Sequence, residues 1–230
     1  VRGLAAGYGA VRVFDGVDLD LAAGEVVALM GRNGSGKSTL LSLLAGLRPP
    51  AAGSVQVGGL DPAAVEPHRA RAVVGMVPQD ASLVLFHQRV DDECAAADDE
   101  AGAPRGTASA LLARLVPGIP PEAHPRDLSE GQRLALALAV VLVSSPGLVL
   151  LDEPTRGLDE SAKAELGAVL RDLAAEGRSI VMATHDVEVV AAVADRAVVL
   201  ADGEVVADGP AREVVTHSPV FAPQVAKVLA

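Results

Sequence analysis

The chain reads as an α/β protein built on a mainly parallel sheet, and three observations predict it. The run Glu25-Val26-Val27-Ala28-Leu29-Met30 is short and nearly all apolar, as expected of a strand buried on both faces. It leads into Gly31-Arg32-Asn33-Gly34-Ser35-Gly36-Lys37-Ser38-Thr39, which fits the phosphate-wrapping pattern G-x-x-x-x-G-K-[ST]. Residues 38–45 then have the look of a helix, stopped by Gly46 with Pro49 and Pro50 beyond. Strand, glycine loop and helix thus come in the order a phosphate site needs. The glycines let backbone N–H groups curl around anionic oxygens, and the helix N-terminus adds the positive end of its dipole. In such a loop Lys37 reaches the β- and γ-phosphates and the Ser38 hydroxyl ligates Mg²⁺.

Along the rest of the chain, residues 1–21 predict two short strands around a turn, with Asp18-Leu19-Asp20-Leu21 alternating polar and apolar. Residues 53–59 alternate like an exposed antiparallel strand, and 73–77 form a second apolar strand ending at Pro78-Gln79-Asp80. Composition then shifts toward Ala, Asp, Glu and Gly over 93–106, and 108–116 have helical spacing, so 79–143 read as a mainly helical insertion between core strands. The core resumes with an apolar strand at 148–151. A helix over 161–176 follows, with Ala162, Leu166, Val169, Leu170 and Leu173 on one face, then a strand at 180–184 and a helix to about 194. Asp202-Gly203 between 198–201 and 204–207 is a two-residue hairpin signal, and 211–230 read as helix in two pieces. No internal repeat is evident.

The bulk numbers narrow the function classes. A chain of 230 residues suits one large α/β domain, or a core with a small inserted subdomain. The longest apolar run, 134–143, is broken by Ser144-Ser145-Pro146-Gly147, well short of the ~20 residues a membrane span needs. A net charge of −11 argues against a nucleic-acid partner, and no Lys/Arg cluster suits anionic lipid. Cys94 stands alone, which leaves no disulfide or zinc cluster within the chain and makes a reducing cytoplasm the expected setting. The chain starts at Val1 rather than Met and is expected to be part of something longer.

A phosphate loop alone does not say what is done with the nucleotide. The strand at 148–151 adds carboxylates at its C-terminal end, where ligands sit in open α/β sheets: Asp152, suited to hold Mg²⁺ through its water shell, and Glu153, suited to take a proton from an attacking water. By strand alternation Glu153 is expected to point away from Asp152. His185 also follows an apolar strand and opens a helix, where its ring can reach a γ-phosphate; a lone histidine, though, is more often structural. Gln79, at another strand end, can add a neutral ligand to Mg²⁺. Ser129 with Gln132 three residues on fits a capping box, so Leu128-Ser129-Glu130-Gly131-Gln132 reads as a well-capped helix start or as an anion site. Tyr8, taken alone, is an edge-strand residue.

Taken together these residues resemble the ATP-binding-cassette (ABC) ATPase family over nearly the whole chain. The resemblance identifies the P-loop as Gly31 to Thr39, the Q-loop residue as Gln79 and the signature as Leu128 to Gln132. It likewise makes 148–152 the Walker B strand with catalytic Glu153, Gly157-Leu158-Asp159 the D-loop, and His185 the switch histidine, all in the family's order. It puts Tyr8 where the family places the aromatic that stacks on adenine. It implies a P-loop NTPase core of mainly parallel sheet with an N-terminal antiparallel β subdomain, over 1–78 and 144–230, and an inserted α-helical signature subdomain, over 79–143. Two such domains would face head to tail around ATP and Mg²⁺, so that Ser129, Glu130, Gly131 and Gln132 serve the other subunit's ATP and Asp159 reaches across. The family's usual signature has Gly where this chain has Glu130. A carboxylate in the first helical turn suits the dipole but would repel a γ-phosphate by about 1–4 kcal/mol at ~4 Å if it pointed inward, and an outward direction is expected.

Shorter stretches look like the ATPases of energy-coupling-factor (ECF) importers, which take up vitamins or transition-metal ions: 85–93, the run 152–159 reading DEPTRGLD, Thr184-His185-Asp186-Val187-Glu188, and 218–224. That resemblance implies a second ABC ATPase domain as partner, identical or different and in some systems fused in one polypeptide, of which this chain looks like the second half. It also implies a transmembrane scaffold subunit gripped through residues 80–92, and a peripheral place on the cytoplasmic face of the membrane. A soluble ABC ATPase of repair or translation, and a non-hydrolysing regulatory half, are the alternatives.

Overall fold

The computed structural model describes residues 1–9 and 11–217. Its centre is a six-stranded sheet of β3 (Val26–Met30), β5 (Val74–Val77), β6 (Leu148–Asp152), β7 (Ser179–Ala183), β8 (Arg196–Ala201) and β9 (Glu204–Pro210). The spatial order is β5-β6-β7-β3-β8-β9, parallel throughout except for the β8–β9 hairpin. The apolar runs become strands because both faces are covered: β3 and β6 are buried at every position. On one side lies α1 (Lys37–Leu44), with Leu40, Leu41, Leu43 and Leu44 packed on Leu29, Leu150 and Val181. On the other lie α5 (Glu130–Leu142) and α6 (Glu160–Ala175), with Leu138, Leu142, Leu166 and Leu170 against Val149, Leu151 and Ile180. The fold is therefore the P-loop type of α/β architecture expected above.

A second, three-stranded antiparallel sheet has the order β2-β1-β4, from β1 (Arg2–Tyr8), β2 (Val11–Val17) and β4 (Ala52–Ser54). Phe14 and Leu4 anchor it to the face that carries α1. Two expectations are corrected here. The strand foreseen over 53–59 is only Ala52–Ser54, because Val55 and Val57 turn into the core and Gly58-Gly59 close a tight turn bridged by Val57 and Leu60. Residues 18–21, read as alternating, are not strand; Asp18 instead accepts the Gly3 N–H through its side chain.

The helical region contains α3 (Val90–Ala101) and α4 (Thr107–Leu115), which meet one face of α5 through Val90, Cys94, Ala108, Leu112 and Leu136. Helix α5 is apolar nearly all round because it packs on the sheet with one side and on these helices with the other. It begins at Glu130, three residues earlier than the apolar run suggests, because Ser129 caps it. A short helix, α2 (Pro67–Val73), was not foreseen; it buries no residue and so has no apolar stripe to betray it. Helices α7 (Val187–Val193) and α8 (Ala211–His217) complete the described chain, and the second C-terminal helical piece lies outside the described residues.

Candidate functional site

The glycine loop joins β3 to α1 at the C-terminal edge of the parallel sheet, and two of its glycines have steric reasons to be there. Gly31 has φ +148°, and a Cβ on it would stand 2.4 Å from the Leu200 carbonyl oxygen and 2.5 Å from Ser35 Oγ. Gly36 has φ +99°, and a Cβ there would meet the Phe14 ring at 2.6 Å and Val13 at 2.8 Å. The antiparallel sheet therefore presses on the loop and helps to set its shape. Lys37, 7% exposed, folds its ammonium back over the loop, donating to Gly31 O at 2.9 Å and Arg32 O at 3.4 Å. An ammonium has three donors, so one remains for a ligand.

Residues and loop fit an anion. Helix α1 takes Gly36 as N-cap and so receives no side-chain hydrogen bond at its first turn, leaving the N–H groups of Lys37, Ser38 and Thr39 for another acceptor. Ser35 Oγ is buried in the same loop without a hydrogen-bond partner. The oxygens of Ser38, Gln79 and Asp152 border the same space, a hard donor set of the kind Mg²⁺ selects. Among the described residues no group of three or more His, Cys, Asp or Glu is placed to hold a metal by itself. Mg²⁺ would accordingly rest on phosphate oxygens with a few protein oxygens.

Strand β6 ends at Asp152, and the next residue departs from the sequence expectation. Glu153 has φ +48°, left-handed backbone outside the strand, so simple alternation no longer governs its direction. Its N–H donates to Ala183 O at 2.8 Å, which extends the β6–β7 pairing by one residue and holds the kink. Asp152 and Glu153 consequently face the same cleft. His185 Nδ1 lies 2.8 Å from Glu153 Oε2; with the proton on Nδ1 the ring donates to the carboxylate and keeps Nε2 for another partner. The His185 side chain is 65% exposed, while that of Glu153 is mostly buried. Just behind, Asp186 caps α7 through the N–H groups of Glu188 and Val189 and pairs with Lys163 of α6 at 2.9 Å. The hydrogen bond to Asp186, with a second to Glu160, holds the Lys163 ammonium above its ordinary pKa.

One cleft of about 580 Å³ gathers Tyr8, Asn33, Gly34, Gly36, Lys37, Ser38, Thr39, Gln79, Asp152, Glu153 and His185, a size suited to a drug- or nucleotide-sized ligand. Gly31, Arg32 and Ser35 shape the loop beneath it. Sequence reasoning missed three neighbours. Val13 and Arg156 line the cleft too, and Arg48 lies against Tyr8. A basic residue three positions past Glu153 was a usable signal for Arg156. Val13 and Arg48 carried none, since only the tertiary fold brings them close.

The signature residues are elsewhere. Ser129, Gly131 and Gln132 border a separate small pocket with Leu158 and Ala162 of the α6 region, so they are not brought to this cleft within one chain. The capping box is formed: Gln132 N–H donates to Ser129 Oγ at 3.3 Å and Ser129 N–H to Gln132 Oε1 at 3.0 Å. Glu130 accepts from Arg133 Nη1 at 2.7 Å and is 57% exposed, and its side chain lies next to Gly157. Asp159 caps α6 by accepting the Ala162 N–H at 2.8 Å.

Comparison with known proteins gives the chain its family. Residues 14–156 match the family model described as ABC transporter. A Streptomyces avermitilis protein named for ABC-transporter ATP binding is 58% identical over all of this chain, which spans only 41% of that relative's length; a Streptomyces coelicolor relative is matched over the same share. The nickel import ATP-binding protein NikO of Rhodobacter capsulatus is 40% identical, with 95% of this chain and 91% of NikO covered. Among solved structures, CbiO1 of Clostridium perfringens, part of the ABC transporter complex CbiONQ, superposes with a TM-score of 0.85 at 28% identity, covering 100% and 97% of the two chains.

Proposed function

Because the chain belongs to the ABC transporter family as one of its ATP-binding ATPase domains, we propose that it burns MgATP in the described cleft to drive import of a small solute in an ECF-type system. The observation that carries this reading is the convergence of two devices on one space. An uncapped helix start with Lys37 is fit to hold a triphosphate, and a Glu153–His185 pair lining the same cleft is fit to act on its terminal phosphate.

In this reading the Gly31–Thr39 backbone and Lys37 neutralise and orient the phosphates, and Tyr8 stacks on the base. Ser38, Gln79 and Asp152 would hold Mg²⁺, which when bound would supply charge neutralisation at the phosphates. Glu153 takes the proton of the attacking water, and the His185 hydrogen bond keeps that carboxylate aimed into the cleft. Ser129, Glu130, Gly131 and Gln132 face a second domain's nucleotide, and Asp159 stands at that interface. That the Streptomyces relatives exceed twice this chain's length supports a pair of such domains in one polypeptide.

Import of a metal ion is supported by NikO, named for nickel import, and work within a transporter assembly by likeness to CbiO1, part of the ABC transporter complex CbiONQ. Among the described residues no helix is long and apolar enough to cross a membrane. The domain would work from the cytoplasmic face, docked on a transmembrane scaffold through the stretch after Gln79, where Leu83 and Phe86 are exposed. The test is ATP turnover by the purified protein alone and with its membrane partner. Turnover that rises with protein concentration supports a paired site; none under either condition overturns the ATPase reading.

A further inference from the structure

Tyr8 is held by two contacts that no motif predicts. Its hydroxyl lies 3.5 Å from Thr39 Oγ1 in the first turn of α1, and the Arg48 guanidinium, just past the far end of α1, sits over its ring at 4.3 Å from the centroid. Arg48 is itself fixed: Nη2 donates to Gly7 O at 2.8 Å, beside Tyr8 in β1. Its Nη1 is buried with no hydrogen-bond partner, so the ring face is what compensates that donor. Tyr8 lines the cleft and is 58% exposed, whereas Arg48 does not line it. The cation therefore sits on one ring face without itself lining the cleft that Tyr8 borders.

We propose that Arg48 is a positioning residue for the nucleobase: by occupying the outer face of Tyr8 it fixes the ring and draws electron density from it, so that the inner face takes a purine in stacking. This rests on the cleft being the nucleotide site. A guanidinium on one face and a base on the other make a sandwich in which the tyrosine is pre-ordered, and pre-ordering lowers the entropy cost of binding. The phosphates are gripped by the loop, out of reach of this effect. Arg48 should thus alter affinity for a nucleotide and leave affinity for its phosphate tail alone. The hydroxyl contact with Thr39, and beyond it the neighbouring Arg48 guanidinium, also lower the Tyr8 phenol pKa from its ordinary value.

Tyr8 is the chain's one tyrosine, and the chain has no tryptophan, so its absorbance and fluorescence report on this ring alone. The experiment compares the 230-residue chain with Arg48→Met and Arg48→Lys, measuring Mg²⁺-dependent binding of ATP and of inorganic tripolyphosphate, and titrating the tyrosine by ultraviolet absorbance. Arg48→Met should weaken ATP about 2- to 5-fold, the fold-change of an exposed cation–π contact. It should leave tripolyphosphate unchanged and move the tyrosine midpoint upward. Arg48→Lys, which keeps a cation, should fall between. Equal weakening of both ligands, an unchanged ATP affinity, or an unmoved tyrosine midpoint in a folded variant overturns the proposal. If the unsubstituted chain binds neither ligand, the nucleotide reading fails and takes this inference with it; binding of both by the unsubstituted chain isolates the role of Arg48.

Discussion

The loop at Gly31–Thr39 and the turn at Ser129–Gln132 both open helices and both suit an anion, yet they dispose of their N–H groups in opposite ways. Helix α1 is capped by a glycine that offers no side chain, with a lysine bent over the loop and a buried hydroxyl left unpaired. Helix α5 is closed by its own capping box, its first-turn carboxylate is paired with Arg133, and the surroundings are exposed. The first terminus is incomplete without a ligand. The second is complete in the isolated chain, so an anion there must come with a partner and compete with the cap. The difference predicts that substitutions around α1 register in the single chain, whereas those at α5 register in an assembled pair.

The largest effect should come from Glu153→Gln, which keeps the kink and the His185 contact but removes the base. Turnover is expected to fall about 10²- to 10⁴-fold with ATP still bound, measured by phosphate release and equilibrium binding. Undiminished turnover would refute the assignment. Next is Gly36→Ala. A Cβ there faces Phe14 and Val13 at under 3 Å on a backbone of φ +99°, so ~1–3 kcal/mol of strain is expected, with a melting point several degrees lower and weaker ATP binding by the isolated chain. An unchanged affinity would mean that the loop's shape does not set the grip.

How much of this was legible in the sequence depends on the range of the contacts involved. The β3–loop–α1 unit and β6 with Asp152 were read correctly because each is local: an apolar run, a glycine pattern and a helix stop lie within a few residues. The Ser129 capping box was legible for the same reason. The direction of Glu153 was not, because it depends on where β6 stops, and that is set by the pairing of Glu153 N–H with Ala183 O across the sheet. Arg48 touches a β1 residue 41 positions away and is invisible to any pattern. Helix α2 escaped because a helix that buries nothing leaves no periodic trace.

Ser129→Ala tests the other side of the comparison. Losing the cap should cost ~1 kcal/mol and shift melting by about 2–4 °C, while ATP binding by the isolated chain stays as it was. Turnover of the assembled pair should drop further than that stability loss explains, since the same hydroxyl is proposed to meet the partner's nucleotide. If isolated-chain affinity fell instead, the two helix starts would not be divided between self and partner as argued.

The smallest effect is expected at Glu130, despite its departure from the family's glycine. Its carboxylate is neutralised by Arg133 at 2.7 Å, and Arg133 is anchored in turn by the carbonyls of Pro125, Arg126 and Leu128. The pair is formed on α5 itself, so the carboxylate is held along the helix rather than free to swing to a phosphate. Glu130→Gly should therefore change turnover of the assembled pair by less than about fivefold, the ~1 kcal/mol ceiling of an exposed ion pair. Arg133→Met should do more harm than Glu130→Gly, because it leaves the carboxylate uncompensated where the partner's nucleotide is proposed to bind and frees three carbonyls. A tenfold gain in turnover from Glu130→Gly would reverse this ranking, and would mean that the carboxylate repels the phosphate even with its arginine in place.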